Sequence, residues 1–311
     1  MTMRGRVAHY LSIEDLPAER TFALLQVAME LKRKPGHRPD HARLAGKTLV
    51  MIFQKPSLRT RVSFQTGMTQ LGGHAIHLSP SDIQLGEREA IEDVALTLSR
   101  MADLIMARVF GHEVIEELAR HATVPVINGL SDREHPCQIL ADLQTIYERK
   151  HRLAGLRAVF IGDGNNVAHS FMLGSAQMGM HCTVITPAGY APAADMVERA
   201  RALARPTGAV IATSHDVADV RDADVVYTDV WASMGQEAEA AARREVFRPY
   251  QVNDVLMRRA RADAVLLHCL PAHYGEEIDY GTSRRPNSAI FDQAENRVHA
   301  QKALIVTLMA G

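Results

Sequence analysis

The feature that most limits what this chain can fold into is an alternation. Short apolar runs of strand length, such as Lys47–Phe53 (KTLVMIF) and Leu104–Phe110 (LIMARVF), are separated by longer stretches with helical spacing. Strands that read as near-continuous apolar runs are covered on both faces, and strands that alternate with helices pair in parallel. In the first part of the chain the predicted strands are 47–53, 75–78, 104–110 and 124–127, with helices over 13–34 and 57–71. After a helix over 136–150, a second series follows at 158–161, 183–186, 210–212, 225–228 and 265–267. The predicted fold is α/β, two doubly wound domains with mostly parallel sheets.

The predicted boundaries are 1–135 for the first domain, 136–150 for a linking helix and 151–294 for the second domain. A chain of 311 residues suits two domains at about 100–200 residues each. The stretch 295–309 (ENRVHAQKALIVTLM) is amphipathic at first and then apolar all round. Such a helix must be buried, and it is assigned to the first domain together with the rest of 295–311.

Composition excludes some functions. The charges nearly cancel, 35 − 36 = −1, which removes the usual warrant for a nucleic-acid binder and leaves room only for a local basic patch. No apolar run approaches the ~18 residues that span a membrane, and the first ten residues lack the apolar core of a secretory signal. The three cysteines lie far apart with no CxxC pair, which argues against a disulfide framework and for a reducing, cytoplasmic home.

Lys55-Pro56-Ser57-Leu58-Arg59-Thr60-Arg61 falls where a strand gives way to a helix. Pro56 blocks helix before it and Ser57 is a good N-cap. Arg59 and Arg61 then sit in the first turn, where cations oppose the helix dipole. A bound phosphate reverses the sign of that conflict, because free N–H groups, hydroxyls and guanidinium groups together make an anion cradle. A solvated basic turn is the plain alternative. His135-Pro136-Cys137-Gln138 opens the linking helix, with Pro136 at its first position and His135 at the cap. This is either a simple cap or a ligand-facing helix end; a metal site lacks a second His/Cys pair at zinc-like spacing.

Three polar clusters follow strands of the second domain: Gly162-Asp163-Gly164-Asn165-Asn166, Asp229 to Gly235, and His268-Cys269-Leu270-Pro271. Ligands of open α/β sheets bind beyond the carboxyl ends of the strands, so these clusters are candidates to line one crevice. The glycine cluster is not a dinucleotide fingerprint, since Val167 stands at the third glycine and no acidic residue ends the next strand. His268 and Cys269 are adjacent, so on a strand they face opposite sides and make no local nucleophile pair.

These segments resemble the aspartate/ornithine carbamoyltransferase family. Ser57-Leu58-Arg59-Thr60-Arg61 is similar to the family's Ser-Thr-Arg-Thr-Arg loop, with Leu58 where Thr is usual, and His135-Pro136-Cys137-Gln138 to its His-Pro-x-Gln motif. Asp229 with Ser233-Met234-Gly235, His268-Cys269-Leu270-Pro271 and Glu295-Asn296-Arg297 complete the likeness, which spans nearly the whole chain. The resemblance implies transfer of the carbamoyl group of carbamoyl phosphate to the δ-amine of L-ornithine. Putrescine and N-acetylornithine are alternative acceptors, and a non-catalytic binding subunit is the alternative class. It implies that Ser57, Leu58, Arg59, Thr60, Gln84, Arg108, His135, Gln138, Cys269, Leu270 and Arg297 bind carbamoyl phosphate, and that Asn166, Asp229, Ser233 and Met234 bind ornithine. Arg108, His135, Asp229 and Cys269 are the implied catalytic residues. No metal or organic cofactor is expected, because carbamoyl phosphate is already activated. The expected assembly is a homotrimer with shared active sites. Gln84, in a loop between His77 and Glu89 with few apolar anchors, would reach a neighbouring subunit.

Overall fold

The computed structural model describes residues 8–33, 43–232 and 239–310. The chain divides into two compact units. One runs to Ala141 and resumes at Glu295; the other is Asp142–Ala294.

The first unit is built on four parallel strands, β1 (Thr48–Phe53), β2 (His74–Leu78), β3 (Leu104–Arg108) and β4 (Val126–Leu130), in the order β2-β1-β3-β4. Strands β3 and β4 are buried at every residue, as expected when helices cover both faces. Val50, Ile52, Ile105 and Ala107 pack with Val94, Ala95, Ile115 and Leu118 from the Ile91–Met101 and His112–His121 helices. The strand order reverses between β1 and β3, and at such a switch point the loops leave in opposite directions and open a crevice. The Ser57 turn follows β1, and Arg108 ends β3.

The expected 13–34 helix is in fact two elements. A single 3-10 turn, Ile13–Asp15, is closed by a capping box between Ser12 and Asp15. The chain is then extended at Leu16, and the helix proper is Ala18–Arg33. Pro17 explains the break, because the residue before a proline is pushed out of helical geometry.

The last helix, Ile290–Met309, starts five residues before the segment read from sequence. From Glu295 onward it belongs to the first unit. Ala300, Ala303, Leu304 and Ile305 are fully buried. Lys32 Nζ donates to Asn296 Oδ1 and Lys302 Nζ to Gln70 Oε1, each at 2.8 Å. At Gly67 an added Cβ would lie 3.3 Å from the Lys302 side chain, so a small residue there lets the two helices approach.

The second unit holds five parallel strands, β5 (Arg157–Ile161), β6 (His181–Ile185), β7 (Ile211–Ser214), β8 (Val225–Thr228) and β9 (Val265–His268), in the order β7-β6-β5-β8-β9. Val159, Ile161, Val226 and Leu266 pack with Val220, Leu256 and Met257 on one face. Val167 to Gln177 of the Asn166–Gln177 helix are buried throughout. The three polar clusters therefore follow three adjacent strands, β5, β8 and β9, and the switch point falls between β5 and β8.

Candidate active site

In the first unit the polar groups converge around the N-terminus of the Leu58–Gln70 helix. Ser57 is its N-cap: Oγ accepts from Thr60 N at 3.3 Å and donates to Thr60 Oγ1 at 3.1 Å. The first turn has no acidic residue to answer the dipole. Arg59 lies there, while Leu58 is 73% exposed, so what that position offers a ligand is its backbone N–H. Arg297, almost wholly buried, donates from Nη1 to Gln138 Oε1 at 2.6 Å and from Nη2 to Thr60 Oγ1 at 3.3 Å. One guanidinium thus joins the cap turn to the first turn of the Pro136–Lys150 helix. Arg108 is buried, and its carbonyl accepts from Gln54 N at 2.9 Å, which fixes the end of β3 against the end of β1.

His135 is buried directly before Pro136, and its carbonyl accepts from Gln138 N at 3.0 Å. Burial holds its imidazole well below the usual histidine range, reinforced by Arg297, Arg108, Lys55 and Arg59. The ring is therefore neutral at pH 7. Lys55 is drawn into the same field. Its ammonium lies 4.9 Å from the Phe110 ring centroid, and burial, aided by Arg108, lowers its pKa to about 8. Lys55 heads the Lys55–Arg61 segment, where its sequence neighbours alone do not mark it as part of this field. Cys137, which a metal reading would need, is fully buried and donates to the Asn128 carbonyl at 3.3 Å; burial pushes its thiol up to about 12.

Gln84 stands apart from this hydrogen-bonded cluster, and the loop around it corrects the expectation of few anchors. Ile83 and Leu85 are both buried in the first unit's core, and Gln54 Nε2 donates to the Leu85 carbonyl at 3.2 Å. Gln84 itself is exposed, at φ +46°, and lines an open cleft of about 330 Å³ with Phe53, Gln54 and Phe110. The sequence signal of that anchoring is the apolar-polar-apolar alternation Ile83-Gln84-Leu85.

In the second unit Asp229, just beyond β8, is buried and held at both oxygens. Asn165 Nδ2 donates to Oδ2 at 2.9 Å, and Cys269 Sγ donates to Oδ1 at 3.0 Å. Asn165 also caps the Asn166–Gln177 helix, accepting from Val167 N and Ala168 N at 3.0 and 3.1 Å. Each carboxylate oxygen has acceptor capacity for a further donor. Asn165 and not only Asn166 thus belongs to the cluster; Asn166 opens that helix beside it.

Cys269 and Leu270 follow β9, and Leu270 is held at φ +59°, unusual for a branched side chain. The restraint is a buried relay. His268 Nδ1 accepts from Leu270 N at 2.8 Å, so its Nε2 donates to Glu277 Oε1 at 3.0 Å; both side chains are fully buried. His273 N donates to the same Glu277 oxygen at 2.6 Å. Asp229, His268 and Cys269 bring possible metal ligands within 4.8 Å of one another. Both imidazole nitrogens of His268 are already engaged, however, so its geometry fits a loop brace better than a metal ligand. Ser233 and Met234 lie outside the described residues.

Comparison with known proteins identifies the family over both units. The carbamoyl-P binding domain of the aspartate/ornithine carbamoyltransferases matches residues 8–148, and their Asp/Orn binding domain matches residues 154–308. The chain belongs to the aspartate/ornithine carbamoyltransferase family. It is 55% identical over 309 residues to the ornithine carbamoyltransferase of Anoxybacillus flavithermus, covering 99% of this chain and 98% of that protein. It is 51% identical over 302 residues to the anabolic ornithine carbamoyltransferase of Pyrococcus furiosus, covering 97% and 96%. A solved structure of ornithine carbamoyltransferase from Pyrococcus furiosus superposes with a TM-score of 0.95 at 51% identity, covering 98% of each chain.

Proposed function

We propose that this chain transfers the carbamoyl group of carbamoyl phosphate to the δ-amine of L-ornithine, giving L-citrulline and phosphate. The observation that carries this reading is the Arg297 bridge from Thr60 to Gln138, which builds an anion cradle at a helix N-terminus lined with further cations. In this reading the Ser57–Thr60 turn, Arg59 and Arg297 hold the phosphate. Arg108 spans phosphate and carbonyl oxygen. The neutral His135 donates to that carbonyl oxygen, which becomes negative as the tetrahedral intermediate forms. Gln138 and the Leu270 carbonyl take the carbamoyl NH₂.

Asp229 and Cys269 orient the attacking amine, and Asn166, Ser233 and Met234 hold its amino-acid end. The amine forms the C–N bond, the C–O bond to phosphate breaks, and the phosphate leaves with the electron pair while the nitrogen loses a proton. Because a free amine of this type titrates near ~10.4, like lysine, the site binds or generates the minor neutral form.

Colorimetric detection of carbamoylated product with ornithine, putrescine and N-acetylornithine in parallel tests the assignment. Ornithine should be preferred; a better rate with either analogue reassigns the acceptor, and no product with any removes the reaction. The same reading makes the active assembly a cytoplasmic cyclic trimer in which Gln84 serves a neighbour's phosphate site. Its support is an exposed Gln84 on a loop fixed by its own unit's core. Gln84→Ala and Arg108→Ala should each be poorly active, yet dissociating, mixing and reassembling them should restore activity above either parent. If Gln84→Ala is weak alone and the mixture never exceeds the parental average, the shared site is wrong.

A further inference from the structure

Arg243 is a charged side chain with little access to water, 8% at the side chain, in the helix Ala240–Phe247. A buried guanidinium is tolerated only when its donors find partners. Here they do. Nε donates to Glu239 Oε2 at 3.1 Å, Nη1 donates to the Trp231 carbonyl at 3.0 Å, and Nη1 lies 3.2 Å from Asp163 Oδ2. The guanidinium carbon is 4.9 Å from the Tyr190 ring centroid and 6.0 Å from that of Phe247. These partners come from the turn after β5, the loop after β6, the stretch after β8 and the helix that carries Arg243.

The partners are fixed relative to one another. Gly164 N donates to the Tyr190 carbonyl at 3.0 Å, and an added Cβ at Gly164 would lie 2.2 Å from Pro192 N, so turn and loop touch through their backbones. The Tyr190 and Phe247 rings pack edge to face at 4.7 Å. Burial pushes Asp163 up to about 6 even beside Arg243, so its carboxylate at pH 7 relies on that guanidinium for compensation. Asp163 is two residues before Asn165, whose side chain holds Asp229. Trp231 is two residues after Asp229, and Trp231 and Glu239 bracket the sequence that contains Ser233 and Met234.

We propose that Arg243 is a positioning residue for the acceptor amino acid, tying the Asp163–Asn165 turn to the Trp231 carbonyl so that Asp229 meets its substrate in one arrangement. This rests on the reaction assigned above. Arg243 touches no reacting atom; it acts through Asn165 and Asp229. A lysine supplies one point charge and cannot satisfy a fork of separate acceptors.

The test is a steady-state comparison of Arg243→Lys and Asp163→Asn with the wild type, varying each substrate in turn, with thermal midpoints taken alongside. Arg243→Lys should raise the KM for ornithine at least tenfold while leaving the KM for carbamoyl phosphate within about twofold. Asp163→Asn, which preserves volume, should raise the ornithine KM several-fold in the same one-sided way. Should the lysine variant fail to fold, the asparagine variant carries the test alone. A lowered thermal midpoint with both KM values unchanged, or an equal loss toward both substrates, makes the cluster merely structural and overturns the proposal. A wild type that forms no citrulline removes the reaction and this inference with it; an active wild type with unmoved ornithine KM in the folded variants removes the inference alone.

Discussion

The buried polar groups of the first unit's site are mainly cations and their donors: Arg108 and Arg297, with Arg59 and Lys55 beside them, around a neutral His135. Those of the second unit are acids, each already answered within its own unit: Asp229 by Asn165 and Cys269, Asp163 by Arg243, Glu277 by His268. The first cluster leaves excess positive charge, which adds to burial, the larger cause, in lowering the pKa values of His135 and Lys55. In the second only Asp163 faces a cation, while Asp229 and Glu277 are answered by neutral donors, so it keeps an excess of negative charge. One half gathers cations around a helix N-terminus. The other gathers carboxylates, each held by a hydrogen bond or ion pair within its own unit.

That contrast is most exposed to attack at Arg108. Arg108→Met should lower kcat/KM for carbamoyl phosphate by about 10²–10³-fold, the loss typical of one transition-state donor, with the ornithine KM little changed. It should also let the His135 pKa rise, which a proton NMR titration of the variant reads directly. A His135 that titrates as in the wild type would show that the Arg108 charge does not contribute, leaving burial and the remaining cations to depress it.

Asp229→Asn is the matching attack on the other half. It keeps the shape but removes a charge-assisted bond worth about 1.5–3 kcal/mol, or about 10- to 150-fold in ornithine affinity. Carbamoyl-phosphate binding, followed by calorimetry, should stay nearly intact. Equal weakening of both substrates would mean that the two halves are not separable in this way.

The smallest effect concerns pH. Lys55 has its pKa lowered to about 8, so it is charged below that value and loses its proton above it. A bound phosphate dianion favours the charged form, and binding above about pH 8 must then take up a proton. The KM for carbamoyl phosphate should be flat near pH 7 and climb above pH 8 by at most about tenfold per pH unit. Lys55→Arg, which stays charged throughout, should flatten that climb; a climb unchanged in the arginine variant assigns the titration to another group.

Much of this was legible in sequence because it was written locally. Pro56, Ser57 and the two arginines announce a capped helix whose dipole wants an anion, and Pro136 fixes where His135 must sit. Parallel pairing followed from apolar runs divided by helical stretches. What stayed hidden was held by partners far along the chain. Nothing beside Glu277 reveals that His268 needs it, and the Arg243 fork takes acceptors from segments up to 80 positions earlier, where Asp163 stands. The break at Leu16 was readable from Pro17 but was overridden by the apolar spacing around it.

The donor cluster closes only through Arg297, which is 237 positions beyond Thr60 and 159 beyond Gln138. A chain emerging from the ribosome therefore makes the Ser57 turn, β3 and the His135 cap, and then the whole second unit, before the guanidinium that unites them exists. Until then the grooves that receive Ala300, Ala303 and Leu304 lie open to water. Contacts of such long sequence separation form late, because chain-closure entropy opposes them. The order of synthesis thus places the Arg297 link between the Ser57 turn and the Pro136–Lys150 helix after the whole second unit, and a chain that stops short of Arg297 lacks that link however well its second unit folds.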